Sequence, residues 1–416
     1  MPTLALYNSC TGCTACYLSC SKHAITMITD DEGFLHPVVD KSLCVECGLC
    51  EKVCPVLHPS DARRPIMVYA ARAKDEVRLC ASSGGIFPLL AETVIKNGGV
   101  VWGVAWDFST GDPVAKYRSA HTLDEILSFR GSKYVQAELG DCFLCVKQQL
   151  IDGKYVLFSG TPCQIAGLKF YLRKEYDNLL TVEVICHGVP SPGVWSEYLQ
   201  EVKNNSSRSE VVGKNTVLSF SLKSVPVITG INFREKQSDG YSWKKFGFVV
   251  HGKLPAKGNQ NSVLLSMVNY KNPFMRAFLG ELCNRLSCHE CNFRELRSGA
   301  DITLGDFWRI AELTPEIDDD KGTSLVLLNT NKGSLFFERI KSFLPVCKQI
   351  TYEMAVKSTA ALVVSPAVHF KRKLFFDLYH SKGVDRTVKK LLRPPFAKRV
   401  WSTLLGIQYK IKHLFY

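Results

Sequence analysis

Residues 10–20 read CTGCTACYLSC and residues 44–54 read CVECGLCEKVC, so the spacing C-x2-C-x2-C-x3-C occurs twice near the start of the chain. Iron–sulfur proteins with two 4Fe–4S clusters use this spacing: three neighbouring thiolates hold one cluster, and the displaced fourth reaches the other. The spacing therefore predicts two ligand sets, Cys10, Cys13, Cys16 and Cys54 for one cluster and Cys44, Cys47, Cys50 and Cys20 for the other. A protein with such sites transfers single electrons.

Structural zinc is the alternative interpretation of these cysteines, because zinc sites also use C-x2-C pairs. Three cysteines at successive x2 spacings supply one thiol too many for that arrangement, and the pattern is repeated, so iron–sulfur sites are favoured. Residues 23–39, between the runs, alternate as a strand, a turn and a second strand. We expect this hairpin to cover the clusters of a small ferredoxin-like domain.

The bulk composition limits the class of protein. With 17 cysteines in 416 residues and no secretory pattern in the first eight residues, we expect free thiols in a reducing cytoplasm rather than a secreted disulfide scaffold. No run of about 18 apolar residues predicts a membrane span. Of the net charge of +13, +10 lies in residues 371–416, which contain twelve Lys or Arg and two Asp. The rest of the chain is nearly neutral, so nucleic-acid binding is not expected.

Strands and helices alternate between about residues 67 and 185, which predicts an α/β sheet domain. From about residue 205 to residue 264 periodic signals are fewer and strand-like pieces are more frequent, and we predict an α+β insertion there. The expected fold class is therefore α+β, with four segments. They are a ferredoxin-like domain with two 4Fe–4S clusters (1–60), the N-terminal part (61–200) and the C-terminal part (201–350) of a cofactor-binding α/β domain, and a basic helical C-terminal tail (351–416).

Two strand–loop–helix junctions contain small residues where a ligand could approach the backbone. Residues 82–85 read SSGG and residues 160–164 read GTPCQ. Helix N-terminal amides bind phosphate groups, so two such junctions beside iron–sulfur clusters favour a phosphate-bearing redox cofactor. Because a flavin connects one-electron clusters with two-electron chemistry, we expect FAD or FMN.

Five segments resemble, in the same order, the coenzyme F(420) hydrogenase/dehydrogenase beta-subunit family, which also includes chlorophyll-pathway reductases. They are SSGGIF at 82–87, GSKYVQ at 131–136, GTPCQ at 160–164, CHGVPSP at 186–192 and DITLGDFW at 301–308. The resemblance covers about residues 1–345 and implies an iron–sulfur flavoprotein oxidoreductase with an α/β FAD-binding domain. By match to these motifs it implies FAD contacts at Ser83, Gly84, Gly85, Lys133, Thr161, Gln164 and His187.

The resemblance also implies what the protein works with. Members of the family exchange electrons with a deazaflavin or reduce a tetrapyrrole, so we expect a ferredoxin or another redox protein as donor and a small-molecule substrate. Arg309 departs from the family's usual glycine, and residues 318–324 are similar to bacterial members often found near polysaccharide-synthesis genes. Two alternatives therefore stay open: a non-catalytic electron-transfer subunit of a larger complex, and a member serving polysaccharide biosynthesis with an unknown substrate. A homo-oligomer is compatible with either.

A third cysteine group consists of Cys186, Cys283, Cys288 and Cys291. With the resemblance, these four thiols favour a third 4Fe–4S cluster, and the alternatives are a zinc site or unrelated core thiols. Cys163 begins a predicted helix, where close packing against the cofactor is favoured over a nucleophilic role.

His187 is the candidate catalytic acid or base, and a structural hydrogen bond is its alternative role. Its position beside Cys186, after a predicted strand, is the reason for choosing it.

The basic tail contains two apolar stripes at helical spacing, over residues 384–392 and 396–414. Basic amphipathic helices lie on anionic membrane surfaces, such as the inner membrane face, or dock on protein surfaces. Docking on the protein body or on an acidic partner is favoured over peripheral membrane contact.

Overall fold

The computed structural model describes residues 2–206, 208–213, 216–221, 225–254 and 260–393. The strands are β1 (Ile25–Thr29), β2 (Leu35–Val39), β3 (Met67–Arg72), β4 (Val100–Asp107), β5 (Val114–Ala120), β6 (Val156–Gly160), β7 (Leu179–Val184), β8 (Arg208–Gly213), β9 (Thr216–Ser221), β10 (Val227–Glu235), β11 (Gly247–Lys253), β12 (Asn261–Val268), β13 (Ile302–Asp306), β14 (Ser324–Leu328) and β15 (Val346–Ile350). The helices are α1 (Ala15–Ser19), α2 (Leu49–Lys52), α3 (Asp75–Arg78), α4 (Ile86–Lys96), α5 (Leu123–Ile126), α6 (Cys142–Ile151), α7 (Pro162–Leu172), α8 (Pro192–Ser206), α9 (Pro273–Leu279), α10 (Ile310–Leu313), α11 (Asn331–Lys341), α12 (Tyr352–Ser358), α13 (Arg372–Lys382) and α14 (Val384–Leu391).

The first segment has a ferredoxin-type arrangement, as predicted. The antiparallel hairpin β1–β2, with Ile25 opposite Val39, lies between two one-turn helices that carry the cysteine runs. Ala15, Phe34 and Val53 are fully buried. A segment this small has little core of its own, so its cluster ligands and its contacts with the larger domain determine its position.

One eight-stranded mixed sheet forms the centre of the larger domain, in the order β15-β3-β14-β13-β7-β6-β4-β5. The neighbours β13, β7, β6 and β4 are parallel, while β5, β14 and β15 run the opposite way. Strands β3, β4, β6, β7 and β13 therefore end at the same edge. This carboxyl edge is where ligands bind in sheets of this type. Because β3 to β7 and β13 to β15 share the sheet, the segments predicted at 61–200 and 201–350 form one structural unit.

Helices cover both faces of the sheet and bury apolar side chains against it. In α4 the buried positions Ile86, Leu90, Ala91 and Val94 recur at helical spacing. The helix ends where Asn97 and Gly98 leave the helical conformation, as the sequence predicts. On the opposite face, α7 packs against α6 and against α1 of the ferredoxin-type segment.

The insertion differs from the prediction. Between α8 and α9 the described residues form a two-stranded sheet, β8–β9, and a three-stranded antiparallel sheet, β10-β11-β12. These elements are strands rather than an α+β mixture. An aromatic core that includes Trp195, Phe233 and Phe248 joins β10 and β11 to α8, with ring centroids 4.9–6.3 Å apart. Aromatic packing, rather than a helical apolar stripe, therefore fixes this region.

The first tail stripe docks on the protein. Val384, Val388 and Leu391 of α14 are buried, and the helix packs against α8, α9 and α13. Its apolar face is therefore unavailable to a membrane, which agrees with the favoured alternative. The second stripe, predicted over 396–414, lies outside the described residues. Among the helices that the structure describes, none is long and apolar enough to cross a bilayer.

Candidate iron–sulfur and cofactor site

The first predicted ligand set comes together within the ferredoxin-type segment. Burial raises the pKa of the Cys13 thiol to about 12, and the nearby Cys10 and Cys54 raise it further. The same two neighbours act on Cys16, whose pKa is also raised chiefly by burial. Thr14 Oγ1, between Cys13 and Cys16 in the chain, is buried and has no hydrogen-bond partner among the described residues. We call this group the inner set.

The second predicted set lines a separate pocket closer to the surface. Its thiols belong to Cys20, Cys44, Cys47 and Cys50. Cys47 is exposed, whereas Cys50 is buried. Leu43 and Val45, on either side of Cys44 in the sequence, are 50% and 60% exposed. We call this group the outer set.

No His, Cys, Asp or Glu side chains of the described residues gather in threes or more around a point that could hold a single metal ion. Zinc binds all of its ligands through one ion. A 4Fe–4S cluster binds each thiolate through a different iron atom, so its ligands stand further apart. The two kinds of site therefore require different separations between their thiols.

A third set lines an internal cavity at the carboxyl edge of the sheet. Its thiols belong to Cys163, Cys186, Cys288 and Cys291. Cys163 lies in the first turn of α7, directly after β6, and Cys186 follows the neighbouring parallel strand β7. Cys288 ends a 3-10 turn that begins at Leu286. Burial is the largest cause that raises the pKa of all four thiols.

The structure does not bring Cys283 to this third set. Its side chain is fully buried in the apolar core with Phe274, Phe278 and Leu282, and it does not line the cavity. Sequence reasoning missed Cys163 as the fourth thiol. Both Cys163 and Cys186 come directly after a predicted strand, but only the structure shows that the two strands are parallel neighbours whose carboxyl ends meet at one edge.

The cavity contains donors that suit a sulfide-rich cluster. Thr11 Oγ1 and Arg294 Nε are buried without a hydrogen-bond partner among the described residues, and both residues line the cavity. Thr161 Oγ1 lies 3.2 Å from Cys163 Sγ. Hydrogen bonds to sulfur are a usual feature of iron–sulfur sites, so these residues fit a third cluster.

The inner and third sets approach each other across α7. Gly167 lies one turn after Cys163 on this helix, and a Cβ at Gly167 would be only 2.8 Å from Cys13 Cβ and 3.2 Å from Cys13 Sγ. A glycine is therefore required for this close contact. Cys163 is also among the groups that raise the pKa of Cys13, which places the two sets side by side.

The loop containing Ser83, Gly84 and Gly85 connects α3 to the N-terminus of α4. A Cβ at Gly84 would lie 2.5 Å from Ala71 O and 2.6 Å from Ser324 N, so this glycine allows the loop to pack on the sheet. Gly85 precedes α4, whose first turn has no side-chain cap. Uncapped amides at a helix N-terminus suit a phosphate group.

Cationic and polar groups that the motifs did not identify lie around this loop. Lys236 Nζ donates to Ser83 O at 3.3 Å, and burial lowers the pKa of Lys236 to about 8. Arg234 is buried, pairs with Asp306 at 2.9 Å and lies over the rings of Phe246 and Trp308. Both cations come from β10 and the residue after it, in the insertion whose fold the sequence did not predict.

Lys133 lies beside the same loop, since its neighbour Ser132 donates to Ser82 Oγ at 2.7 Å through its backbone. Its Nζ donates to the carbonyls of Ser128, Arg130 and Gly131 at 3.0–3.2 Å. Burial lowers the pKa of Lys133 to about 7. These contacts give Lys133 a role in shaping the loop.

Thr161 and Gln164 form the capping box of α7. Gln164 Oε1 accepts from Thr161 N at 2.9 Å and from Tyr117 Oη at 2.8 Å, and the side chain is buried. These contacts fix the start of the helix that carries Cys163. In this structure the two residues thus position a thiol of the third set.

His187 lies next to Cys186 in the loop after β7. Its side chain is 38% exposed, its Nε2 contacts Glu281 Oε1, and its ring meets Phe278 edge-to-face with centroids 5.3 Å apart. Arg294 donates to the carbonyls of Cys186 and His187 at 2.7 and 3.1 Å, which fixes the loop. A half-exposed imidazole with a carboxylate partner can donate or accept a proton.

Comparisons with known proteins agree with the motif resemblance. The sequence profile of the coenzyme F(420) hydrogenase/dehydrogenase beta subunit matches in two parts, the N-terminal part over residues 68–143 and the C terminus over residues 153–343. The profile of a 4Fe–4S dicluster domain matches residues 9–57, which supports the predicted iron–sulfur clusters. No curated protein matches the chain.

Among solved structures, the chain is similar to one from the F(420)-reducing NiFe hydrogenase complex of Methanosarcina barkeri. The two share 17% identity with a TM-score of 0.42, over 79% of this chain and 91% of that chain. The two parts of the beta-subunit profile together match well over half of the 416 residues. This chain belongs to the coenzyme F(420) hydrogenase/dehydrogenase beta-subunit family.

Proposed function

We propose that this protein is an iron–sulfur flavoprotein oxidoreductase. It passes single electrons between 4Fe–4S clusters and FAD, and FAD exchanges two electrons with a small organic substrate. The observation that carries the proposal is the order of the cysteine sets. The outer set reaches the surface at Cys47. The inner set lies beside the third set, because Cys163 is close enough to raise the pKa of Cys13. The third set lies at the carboxyl edge of the sheet, where the loops that suit a cofactor begin.

The ligand sets support a path from the surface inward. The exposed Cys47, with Leu43 and Val45 around it, makes the outer set the point at which a ferredoxin or another redox protein can dock. The inner set contacts α7 at Gly167, one turn from Cys163 of the third set. Electron transfer needs such short separations, because the protein medium attenuates it steeply with distance.

When bound, FAD supplies the conversion between single electrons and a hydride equivalent. The residues that fit its phosphates are the loop with Ser83, Gly84 and Gly85, the uncapped start of α4, and Lys236. Trp308 and the Arg234–Asp306 pair offer a planar aromatic surface and a fixed charge nearby. Lys133 and Thr161 then act by shaping the two loops, and Gln164 by capping α7.

His187 is the proposed acid or base for the substrate. Its Nε2 contacts the Glu281 carboxylate, which holds the ring and favours a proton on that nitrogen. The side chain is 38% exposed, which leaves Nδ1 of the ring able to exchange a proton with a bound substrate. A deazaflavin of the F(420) type is the first substrate to test, because the family is named for it.

The test is anaerobic flavin reduction in the full chain. The protein is purified without oxygen and mixed with reduced ferredoxin, and the flavin absorbance is followed with and without coenzyme F(420). We expect bleaching by ferredoxin, reoxidation by the substrate, and loss of ferredoxin-driven bleaching in Cys47→Ala with dithionite-driven bleaching retained. Protein without flavin, or flavin that no donor reduces, would contradict the proposal.

A second candidate function is a non-catalytic electron-transfer subunit of a larger complex. The family description itself names a beta subunit, which favours partner subunits. In this case the flavin is reduced by ferredoxin but no small substrate reoxidises it until a partner protein is added. A panel that includes coenzyme F(420) and sugar-derived substrates separates this candidate from the enzyme, and from a role in polysaccharide biosynthesis.

A further inference from the structure

The side chain of Arg285 is a fully buried cation between two of the cysteine sets. It is 2% exposed and is among the largest fully buried side chains of the described residues. Arg285 lies three residues before Cys288 and directly precedes the 3-10 turn that ends at this cysteine. Its backbone N–H donates to Val189 O at 3.0 Å, so the turn is fixed to the loop that carries Cys186.

The guanidinium reaches from the third set to the inner set. Arg285 lines the cavity of Cys163, Cys186, Cys288 and Cys291. Its Nε donates to the carbonyl of Cys10, a ligand of the inner set, at 2.7 Å. One side chain therefore touches the surroundings of both sets.

The partners of Arg285 do not neutralise its charge. Its guanidinium donates to the carbonyls of Cys10 and Leu35, to Gln136 Oε1 at 3.1 Å and to His36 Nε2 at 3.1 Å. Burial and the adjacent guanidinium lower the pKa of His36 to about 4, so the imidazole is neutral at physiological pH. Asp30 Oδ2 contacts the same Nε2 of His36 at 3.1 Å, so this carboxylate meets the guanidinium only through His36. Among the described residues, no carboxylate forms an ion pair with Arg285.

Burial of an unneutralised cation is costly, so a site of this kind requires a nearby anion. A 4Fe–4S cluster with four thiolates carries a net negative charge, which increases by one when the cluster is reduced. Fixed charge and hydrogen bonds near a cluster are among the factors that set its reduction potential. The two cysteine sets beside Arg285 would supply this negative charge, and the cation favours the reduced form of each cluster.

We propose that Arg285 is a positioning residue whose fixed positive charge is shared by the inner and third clusters, raising the reduction potentials of both and keeping them close together. The inference rests on the proposed function, because it needs clusters at both sets. In each transfer one electron leaves one cluster, which is oxidised, and enters the other, which is reduced. The guanidinium stays protonated, and no bond forms or breaks.

The fit of the ferredoxin-type segment around Arg285 supports the assignment. Gly12 has φ +67°, and a Cβ there would lie 3.1 Å from Arg285 Nη1 and 3.2 Å from Gln136 Nε2. Gln136 also donates to Thr11 O at 3.0 Å. The loop of the inner set therefore closes directly on the guanidinium, with no space for a side chain between them.

Arg294 offers a matched control. It is also buried at the third cavity, where it donates to the carbonyls of Cys186 and His187. Within the described part of the chain, its hydrogen bonds go to these two carbonyls and to the carbonyl of Ala361, and none goes to the inner set. Loss of its charge should affect the third cluster alone.

The experiment is a redox titration of the anaerobically purified full chain, with each cluster followed by electron paramagnetic resonance. In Arg285→Gln we expect the reduction equilibrium constants of both clusters to fall at least tenfold, about 59 mV for a one-electron step. Arg285→Lys keeps the charge and should remain within tenfold of the wild type. Gln136→Glu keeps the shape of the side chain and places a carboxylate beside the guanidinium, so it should lower the reduction potentials of both clusters. This variant tests the proposal even if Arg285→Gln loses its iron. Arg294→Gln should lower the reduction potential of the third cluster alone.

Unchanged potentials in an iron-replete Arg285→Gln or Gln136→Glu protein would overturn the proposal, and so would a shift confined to one cluster. A fall in Arg285→Lys equal to that in Arg285→Gln would show that shape rather than charge matters, and would also overturn it. Failure of the proposed function gives a different result. It would appear in the wild type as a missing third cluster or a missing flavin, before any variant is made.

Discussion

Cys163, rather than Cys283, should be the fourth ligand of the third cluster. Cys163→Ala removes a thiol from the cavity lining, while Cys283→Ala removes a thiol from the apolar core. Three clusters contain about twelve irons per chain, so Cys163→Ala should retain about eight and Cys283→Ala about twelve. Alanine suits the first turn of α7, so the fold should persist in Cys163→Ala. The assay is iron and acid-labile sulfide per chain after anaerobic purification, with paramagnetic resonance of the reduced protein.

The order of the two variants should be reversed for stability, with Cys283→Ala less stable than Cys163→Ala. Cys283 is fully buried, and loss of its sulfur leaves a small cavity that costs about 1 kcal/mol of unfolding free energy. Denaturation of the apo protein measures this cost, with Cys163→Ala as the comparison. The reasoning is refuted if Cys283→Ala falls to about eight irons while Cys163→Ala keeps about twelve.

Four further changes test the packing and charge of the structure. Burial raises the pKa of Glu183 from its usual 4.5 to about 7. Between these two pH values the folded protein binds more protons than the unfolded chain. The free energy of unfolding therefore falls, by up to about 3 kcal/mol, as the pH rises from 4.5 to about 7. The unfolding free energy of apo Glu183→Gln should not show this dependence on pH. If the variant depends on pH as the wild type does, the prediction is contradicted. Arg372→Met removes a buried partner of the ferredoxin-type hairpin and should cost about 2 kcal/mol, whereas Lys373→Met, 88% exposed, should change stability by less than about 0.5 kcal/mol. Val388 is buried, so Val388→Asp should lower the free energy of unfolding by at least about 3 kcal/mol, whereas Lys390→Ala, at an exposed position, should leave it almost unchanged. Equal free energies of unfolding for the two variants would contradict the docking of α14. Because α14 buries its apolar face, a chain ending at residue 393 should not float with anionic liposomes, and flotation of this shortened chain would contradict the prediction.

Local patterns predicted the elements whose spacing carries the signal. The helix at Ile86–Lys96 follows from its apolar period and from the glycines after it. The two cysteine runs predicted the ferredoxin-type segment because cluster spacing is a local property of the chain. The motif resemblance predicted the family for a similar reason, since each of its segments is a short contiguous stretch of the chain.

Features that depend on long-range contacts were not predictable in this way. Arg285 and Cys10 are 275 positions apart, and nothing in the sequence around either indicates their contact. The choice between Cys163 and Cys283 depended on strand order, because only neighbouring parallel strands bring their ends together. The β-strand insertion packs through aromatic side chains such as Trp195 and Phe248, which have no helical or alternating period that identifies the element.

The central claim is a chain of three clusters leading to one flavin. Iron, acid-labile sulfide and flavin should be counted together in the full-length wild-type protein, purified without oxygen. We predict about twelve irons, about twelve sulfides and about one flavin per chain. About eight irons or fewer with no flavin, in protein that is otherwise folded, would contradict the account.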